Sequence, residues 1–280
     1  MPSALITGTS SGLGHGVAQR LHDLGWDVLG TVLDRADEDR VPWSTVVVDV
    51  TDDDAVSALG LVVQDRLGRL DALVNNAGIA MAGPWEEITP AELRRSLGVN
   101  LVGAMAVTRE CLPALRAAQG VIVSISSVSG QAGDPLMGPY NASKFGLEGA
   151  SEALRLELKP FGVRVHLVEP GPFRTPISAA SPQAAAKDPD GVYAEQWTVI
   201  DSWLSWHAES SADPARCVDA IVGAVLRPDA PFRIPVGEGI SDVVRKHAAG
   251  LVRQADAADA WLRTLRPRQT RTSPRHVGCQ

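Results

Sequence analysis

The stretch that decides the fold is Thr7-Gly8-Thr9-Ser10-Ser11-Gly12-Leu13-Gly14. It follows an apolar run at residues 3–7, which predicts a strand, and it opens a stretch with helical spacing at residues 12–24. Only a backbone without side chains turns this tightly and lets a diphosphate reach the first N–H groups of a helix, where the dipole favours anions. The stretch therefore predicts a phosphate-binding loop, with a plain turn between strand and helix as the alternative.

Short apolar runs and longer amphipathic stretches alternate along the chain, which predicts βαβ units and a parallel sheet with helices on both faces. We expect an α/β fold, with a single doubly wound Rossmann-type domain over residues 1–265 and about seven strands. The predicted strands are residues 3–7, 27–32, 45–48, 72–75, 121–125, 163–168 and 232–236, and the predicted helices are residues 12–24, 53–67, 91–115, 140–158, 214–226 and 242–265.

Composition excludes several classes of function. The chain has 280 residues, 45% of them hydrophobic and 21% charged, which is typical of a globular protein. A net charge of -7 argues against nucleic acid as a partner, because phosphate backbones attract basic surfaces. We find no apolar run long enough for a membrane span and no targeting segment, so we expect a cytoplasmic protein. Cys111, Cys217 and Cys279 are widely spaced, which predicts reduced thiols and no metal site.

Tyr140-Asn141-Ala142-Ser143-Lys144 stands at the start of a predicted helix. A separation of four residues places Tyr140 and Lys144 on one helix face. Free tyrosine has a pKa near ~10 and is a poor base at neutral pH. A nearby ammonium and the positive nicotinamide of an oxidised cofactor would lower that pKa, which suits proton exchange with an alcohol or carbonyl oxygen. An unrelated tyrosine and lysine on the surface are the alternative.

The loop spacing Gly-x-x-x-Gly-x-Gly and the Tyr-x-x-x-Lys pair together resemble the short-form branch of the short-chain dehydrogenase/reductases. The resemblance runs from residue 3 to about residue 176 and more loosely to about residue 236. It implies an NAD(P)-dependent enzyme that moves a hydride between a nicotinamide and a secondary alcohol or ketone. Tyr140 is then the catalytic acid/base, and Lys144 binds the nicotinamide ribose and keeps Tyr140 ionised.

The resemblance supplies two further catalytic candidates. Ser127 precedes Tyr140 by 13 residues, and a serine there hydrogen-bonds the substrate oxygen; Ser124 and Ser126 are the nearby alternatives. Asn100 matches a residue that bends its helix and holds a water linking the lysine to solvent. The alternative for Asn100 is an ordinary polar position on a helix surface.

Further motifs extend the predicted cofactor site. By resemblance, Asp49-Val50 holds the adenine, the segment Asn76-Ala77-Gly78 lies along the cofactor, and the segment after Pro170-Gly171 holds the nicotinamide. Taken one at a time, each motif has another interpretation: Asp49 as a helix cap, the asparagine segment as a turn and Pro170-Gly171 as a loop. The full predicted cofactor set is Gly8, Ser10, Ser11, Gly12, Leu13, Gly14, Asp49, Val50, Asn76, Ala77, Gly78, Tyr140, Lys144, Pro170, Gly171, Phe173 and Thr175.

The choice between NAD and NADP depends on the end of the second strand, where an acid favours NAD and an arginine favours NADP. Val32 and Leu33 occupy these positions in the register of the resembling family. The acidic residues that follow outnumber the arginines, which favours NAD. The acidic residues are Asp34, Asp37, Glu38 and Asp39, and the arginines are Arg35 and Arg40.

Two segments break the alternating pattern. Residues 172–213 contain Trp197, Trp203 and Trp206, and by resemblance they form a lid over an apolar substrate. The tryptophans could equally pack this lid onto its own domain. Residues 266–280 are rich in arginine and proline and are predicted to be a disordered basic tail, with an interaction arm as the alternative.

The partners expected are a small-molecule alcohol or carbonyl compound and further copies of the chain. The resemblance implies a homodimer or homotetramer formed by the helices that carry Asn100 and Tyr140, with Ala150, Ala153 and Leu154 as candidate contacts. A catalytically inactive nucleotide-binding or scaffold protein of the same fold is the alternative function. A sugar-nucleotide epimerase or dehydratase is disfavoured, because its usual loop is Gly-x-x-Gly-x-x-Gly.

Overall fold

Seven strands form one parallel sheet in a computed structural model that describes residues 1–179, 183–188, 190–210 and 212–264. The predicted tail, residues 266–280, lies outside these residues. The order β3-β2-β1-β4-β5-β6-β7 confirms the doubly wound α/β prediction. The strands are β1 Ser3–Ile6, β2 Asp27–Val32, β3 Ser44–Val47, β4 Ala72–Asn75, β5 Val121–Ile125, β6 Arg164–Pro170 and β7 Arg233–Val236.

Most helices fall close to the predicted stretches, with one interruption. Two others, Pro176–Ala179 and Ala194–Ser210, lie within residues 172–213, where no helix was predicted. The stretch predicted as one helix over residues 91–115 is divided by a π-helical segment at Gly98–Gly103. A second π-helical segment, Val63–Leu67, extends the helix before it. The α-helices are α1 Gly12–Asp23, α2 Asp53–Val62, α3 Pro90–Leu97, α4 Ala104–Ala118, α5 Gly138–Leu158, α6 Pro176–Ala179, α7 Ala194–Ser210, α8 Ala215–Leu226 and α9 Ile240–Thr264.

Both faces of the sheet are buried, as its continuous apolar strands predict. In β1, Leu5 and Ile6 are fully buried and point to opposite faces. Ile6 belongs to the apolar cluster that includes residues of α1 and α8. Leu5 belongs to the cluster that includes residues of α2 and α4. The hydrophobic core therefore consists of two layers with the sheet between them.

The strand order reverses at β1, which pairs with β2 on one side and with β4 on the other. In an open parallel sheet such a reversal leaves a crevice outside the carboxyl ends of the strands. The loops after β1 and β4 meet at this crevice, and the ends of β5 and β6 lie beside them. The topology thus brings segments that are far apart in the sequence to one edge of the sheet.

Within the described residues, no helix combines the length and the apolar character needed to cross a membrane. The same residues contain no group of three or more His, Cys, Asp or Glu side chains arranged to hold a metal ion.

Candidate active site

The glycine loop joins β1 to α1 with the backbone that its sequence predicts. Gly8 has a φ of 73°, in the left-handed region where a side chain is strained. At Gly14 a Cβ atom would collide with the carbonyl oxygen of Gly8 and with the side-chain amide of Asn76. Gly14 therefore lets the first turn of α1 approach the loop, although it does not itself line the cavity described below.

Thr7 and Asn76 hold the loops after β1 and β4 together. The hydroxyl of Thr7 accepts hydrogen bonds from the backbone N–H groups of Asn76 and Ala77, at 3.0 and 2.9 Å. The side chain of Asn76 donates in return to the carbonyl oxygens of Thr7 and Gly8, at 2.8 and 3.0 Å. These reciprocal bonds fix the floor of the crevice, so Asn76 has a structural role in addition to its predicted one.

The start of α1 has the properties of an anion site. The Ser11 side chain makes no capping hydrogen bond, and the first turn contains no acidic residue. The first N–H groups of a helix lack intrahelical partners, and the helix dipole places positive charge there. A diphosphate fits this position, which supports the predicted role of Ser11, Gly12 and Leu13.

A cavity of about 920 Å³ occupies the crevice, near the upper end of the size range of small-molecule sites. All the residues predicted to bind the cofactor line it except Gly14, and so does Ser127. Its end near β3 includes Asp49, whose carboxylate accepts hydrogen bonds from the backbone and hydroxyl of Thr51, at 2.9 and 2.7 Å. The structure therefore brings segments between residue 8 and residue 175 together around one cavity. The sequence had indicated only the order of these segments along the chain.

The three predicted catalytic side chains meet at the other end of the cavity. Tyr140 and Lys144 lie one turn apart on α5, with the Lys144 ammonium 5.6 Å from the centroid of the Tyr140 ring. Ser127 follows β5, and its hydroxyl accepts a hydrogen bond from the backbone N–H of Ser129 at 3.1 Å. The Lys144 ammonium donates to the carbonyl oxygen of Ile125 at 2.8 Å.

Burial shifts the pKa values of Tyr140 and Lys144 in opposite directions, and each shift favours the neutral form of the side chain. Burial raises the pKa of Tyr140, a hydrogen bond with Ser127 opposes that rise, and the charge of Asp134 adds to it. Burial lowers the pKa of Lys144 to about 8, although the negative charge of Glu148 acts in the opposite direction. The sequence predicted a lowered Tyr140 pKa; in the protein alone the pKa is raised, because desolvation of the phenolate outweighs its hydrogen bond.

Asn100 is 1% exposed and lies within the π-helical segment between α3 and α4. Its side-chain oxygen accepts from the backbone N–H of Ile79, and its amide donates to the carbonyl oxygen of Ile79, both at 2.8 Å. The amide also donates to the hydroxyl of Ser143 at 2.9 Å, and that hydroxyl donates to the carbonyl oxygen of Tyr140 at 2.7 Å. Asn100 thus connects the loop after β4 to the catalytic helix but does not line the cavity.

A buried charged cluster lies behind Lys144. Glu148 is one turn further along α5, and it accepts a hydrogen bond from Arg233 of β7 at 2.9 Å. Glu169 of β6 lies 3.6 Å from the same guanidinium and accepts from Gln131 at 3.0 Å. Burial, followed by the charge of Glu148, raises the pKa of Glu169 to about 7.

The predicted lid packs onto the sheet domain through Trp197 of α7. Trp197 is 1% exposed and donates a hydrogen bond from its indole to Glu87 at 2.7 Å. Trp197 does not line the cavity. The structure therefore fits the interpretation in which this tryptophan packs the lid onto its own domain. The side chains of Trp203 and Trp206 lie outside what the structure describes. The apolar wall of the cavity is formed instead by buried neighbours of Trp197, namely Ala80, Ala82, Met137 and Ile200.

Sequence reasoning missed Asp134 and Arg95, two charged residues that line the cavity. Asp134 lies in the turn before α5, and Arg95 lies on α3. Asp134 has a signal in the sequence, because it is the one acidic residue between Ser127 and Tyr140. Arg95 has none, because its cavity position depends on how α3 packs.

A sequence model of the short chain dehydrogenases matches residues 2–186. The chain belongs to this family. One relative is a 3-ketodihydrosphingosine reductase of Bacteroides thetaiotaomicron, 36% identical over 83% of this chain and 87% of that protein. Another is an NADPH-dependent 3-dehydrocapnine reductase of Ornithobacterium rhinotracheale, 35% identical over 72% of this chain and 76% of that protein. As a family member, the chain is an oxidoreductase acting on alcohol or carbonyl groups.

Solved structures of the family agree with this fold. A short-chain dehydrogenase from Streptomyces avermitilis superposes with a TM-score of 0.84 at 31% identity, covering 94% of this chain and 99% of the other. A family member from Burkholderia phymatum contains NAD, with a TM-score of 0.79 at 23% identity over 90% and 95% of the two chains. One from Burkholderia cenocepacia contains NADP, with a TM-score of 0.72 at 26% identity over 95% and 98%. Family members thus bind either nucleotide.

Proposed function

We propose that this enzyme interconverts a secondary alcohol and a ketone with apolar substituents, using Ser127, Tyr140 and Lys144. The observation that carries the proposal is the juxtaposition of these three side chains at one end of a cavity whose other end is the glycine loop. The apolar wall beside Tyr140 supports an apolar substrate, and the two relatives named as reductases favour reduction as the working direction.

The residues of the chain divide the chemistry among them. The nicotinamide supplies or accepts the hydride when the cofactor is bound. The Ser127 hydroxyl holds the substrate oxygen and stabilises charge that develops on it. Tyr140 exchanges a proton with the same oxygen. Lys144 would bind the nicotinamide ribose, and its ammonium, 5.6 Å from the centroid of the Tyr140 ring, would favour the phenolate.

Asn100 supports this arrangement through the backbone of the catalytic helix. Its bonds to Ile79 and Ser143 hold the loop after β4 against α5. We assign to Asn100 the role of holding a water molecule that relays protons between Lys144 and solvent. The cavity end that holds Tyr140 is then the site of chemistry, and we assign to the described part of residues 172–213 the role of a lid that excludes water from it.

Turnover assays test the proposal. A panel of secondary alcohols and ketones of increasing chain length is offered with NAD(H) and NADP(H), and the absorbance of the reduced nicotinamide is followed. We expect turnover that improves with apolar length and is lost in Tyr140→Phe. Tight cofactor binding without turnover of any member of the panel would favour an inactive nucleotide-binding protein instead.

For the cofactor we propose a modest preference for NAD. The residues of β2 and its end that line the cavity are Thr31, Val32 and Leu33, and none of these is charged. Leu33 is 68% exposed, so a longer side chain fits there. Leu33→Arg should therefore shift the ratio of kcat/KM values toward NADP(H) by about tenfold, as one charge-assisted contact to the 2′-phosphate predicts. Leu33→Gln is the uncharged control, and an unchanged ratio in Leu33→Arg would contradict the assignment.

A further inference from the structure

The indole of Trp197 lies behind the apolar wall of the cavity. Trp197 is 1% exposed and belongs to the same buried cluster as the wall residues Ala80, Ala82, Met137 and Ile200. Ile200 follows Trp197 by three residues on α7, so the two side chains share one face of this helix. Two of the wall residues are alanines, whose side chains are short. The wall is therefore thin, and the larger side chain behind it determines how far the cavity extends.

The indole is held in this position by a hydrogen bond and by close packing. Its Nε1 donates to Glu87 at 2.7 Å, and its Cη2 lies 3.4 Å from the point that a Cβ at Gly83 would occupy. The backbone N–H of Ala184 donates to the carbonyl oxygen of Ala82 at 3.0 Å, which joins the lid to the loop that carries the wall. A buried N–H that loses its partner is costly, so the ring does not turn away easily.

Charged groups surround the indole away from the cavity. The ammonium of Lys187 lies 4.7 Å from the centroid of the indole and pairs with Asp201 at 3.0 Å. Together with Glu87 these residues form a polar layer, and none of the three lines the cavity. A hydrocarbon chain that displaced the indole would come to lie against these charges, and burying them against an apolar group is unfavourable. The ring is thus suited to be an end wall for such a chain.

Resting on the proposed function, we propose that Trp197 is a specificity-determining residue that limits the length of the hydrocarbon chain attached to the reacting carbon. Tyr140 packs against the same cluster as Trp197, so the apolar wall begins at the catalytic tyrosine. The substrate chain extends from there along the wall, and it ends where the indole supports the wall from behind.

Linear 2-ketones from 2-pentanone to 2-dodecanone measure this limit. The full-length enzyme is assayed with saturating reduced cofactor, and kcat/KM is determined for each ketone. Below the limit, each added methylene should raise kcat/KM by about fourfold, the effect of burying one methylene group. The first methylene beyond the limit has to compress the wall, and overpacking of this kind should lower kcat/KM by about tenfold.

Smaller side chains at position 197 should move the limit to longer chains. Trp197→Leu removes most of the volume of the ring and keeps the position apolar, so the cavity can extend behind Ala80 and Ala82. For the first ketone that the wild type rejects, we expect kcat/KM to rise by about tenfold, because the cost of overpacking is removed. The short chain of 2-pentanone does not reach the wall in front of the indole, so its kcat/KM should stay near the wild-type value. Trp197→Phe removes less volume and should give a smaller gain.

Trp26→Leu is the matched control for the change of side chain. Trp26 is partly buried against the cluster that includes residues of α1 and α8, and it does not line the cavity. This variant should keep the chain-length limit of the wild type. If Trp197→Leu does not fold, as judged by circular dichroism, the same comparison is made with Trp197→Phe.

The outcomes distinguish this proposal from the one on which it rests. A wild-type kcat/KM that increases through to 2-dodecanone overturns the role of Trp197, because the chain then leaves the cavity by another path. An unchanged limit in the variants at position 197 also overturns it, as does an equal loss of rate with every ketone, which a purely structural role would give. Each of these results leaves the proposed function standing. If no ketone of this series and no member of the larger panel is turned over, the proposed function fails and the role of Trp197 fails with it.

Discussion

The hydroxyl of Tyr140 lies beside that of Ser127 at the end of the cavity where we propose that the substrate oxygen binds. The change Tyr140→Phe removes that hydroxyl and retains the ring, which packs against the apolar wall. We expect the rate to fall by about 10²–10⁴-fold, the usual contribution of a general acid/base. Cofactor affinity should change little, as a fluorescence titration of the reduced nicotinamide would show. A variant that keeps more than about a tenth of the rate would contradict the assignment.

Lys144 differs from Tyr140 because its removal affects two functions. In the mechanism that we propose, Lys144→Ala deletes both a cofactor contact and a positive charge that favours the Tyr140 phenolate. Burial already raises the pKa of Tyr140, and loss of the lysine charge raises it further. We expect weaker cofactor binding and an oxidation rate that increases only at higher pH than in the wild type. Rate profiles between pH 6 and 11 measure the shift, and a profile identical to that of the wild type would exclude this role.

At the scale of elements, the end of β6 contains a carboxyl that opposes folding near neutral pH. Glu169 is 1% exposed, and its pKa is raised from 4.5 to about 7. Between these values the unfolded chain releases the proton that the folded protein retains. The free energy of unfolding therefore falls as pH rises from 4.5 to 7, by a contribution on the order of 3 kcal/mol for a shift of this size.

Urea unfolding at pH 5 and pH 8 measures this effect. Glu169→Gln removes the titrating group while its amide oxygen can still accept from Gln131, so the variant should lose most of the decrease between the two pH values. Glu152→Gln is the matched control, because Glu152 is bound to the same Arg233 but is 59% exposed in its side chain. An equal decrease in wild type and Glu169→Gln would assign the pH dependence to other groups.

The elements themselves were largely predictable, because their signals are local. The predicted bounds of β2, β4 and β5 are those of the structure, and in β4 and β5 the apolar run is bounded by polar or glycine residues. The division of the helix at Asn100 was implied only by resemblance. It depends on bonds from Asn100 to Ile79 and Ser143, which are 21 and 43 residues away, and helical spacing carries no signal for such contacts.

The site was predictable as a set of motifs, but its electrostatics were not. The order of motifs along the chain located Ser127, Tyr140 and Lys144. The pKa of Tyr140 depends on burial and on Asp134, and neither follows from the spacing of residues. Asp134 reaches the cavity only because the turn before α5 folds back toward Ser129, which a sequence pattern does not reveal.

At the scale of the whole molecule, α5 leaves an apolar face without cover in the single chain. Phe145 and Leu156 are 44% and 64% exposed, and a Cβ at Gly149 between them would meet nothing within 4 Å. Ala153 is exposed on the same helix, whereas Leu154, another predicted contact, packs partly into the core of its own chain. A helix with exposed apolar and small residues of this kind suits packing against a second copy.

We therefore predict a homodimer or homotetramer with α5 in its interface. Phe145→Arg places a charge where two copies would meet, and burying an unpaired charge is costly, so the variant should dissociate. Light scattering at micromolar concentration measures the mass, and circular dichroism checks that the variant is folded. Leu24→Arg is the control, because Leu24 is 53% exposed at the end of α1, away from α5. A wild-type mass of about 29.6 kDa, that of one chain, would refute the predicted assembly. An unchanged oligomer in Phe145→Arg would place the interface on another face.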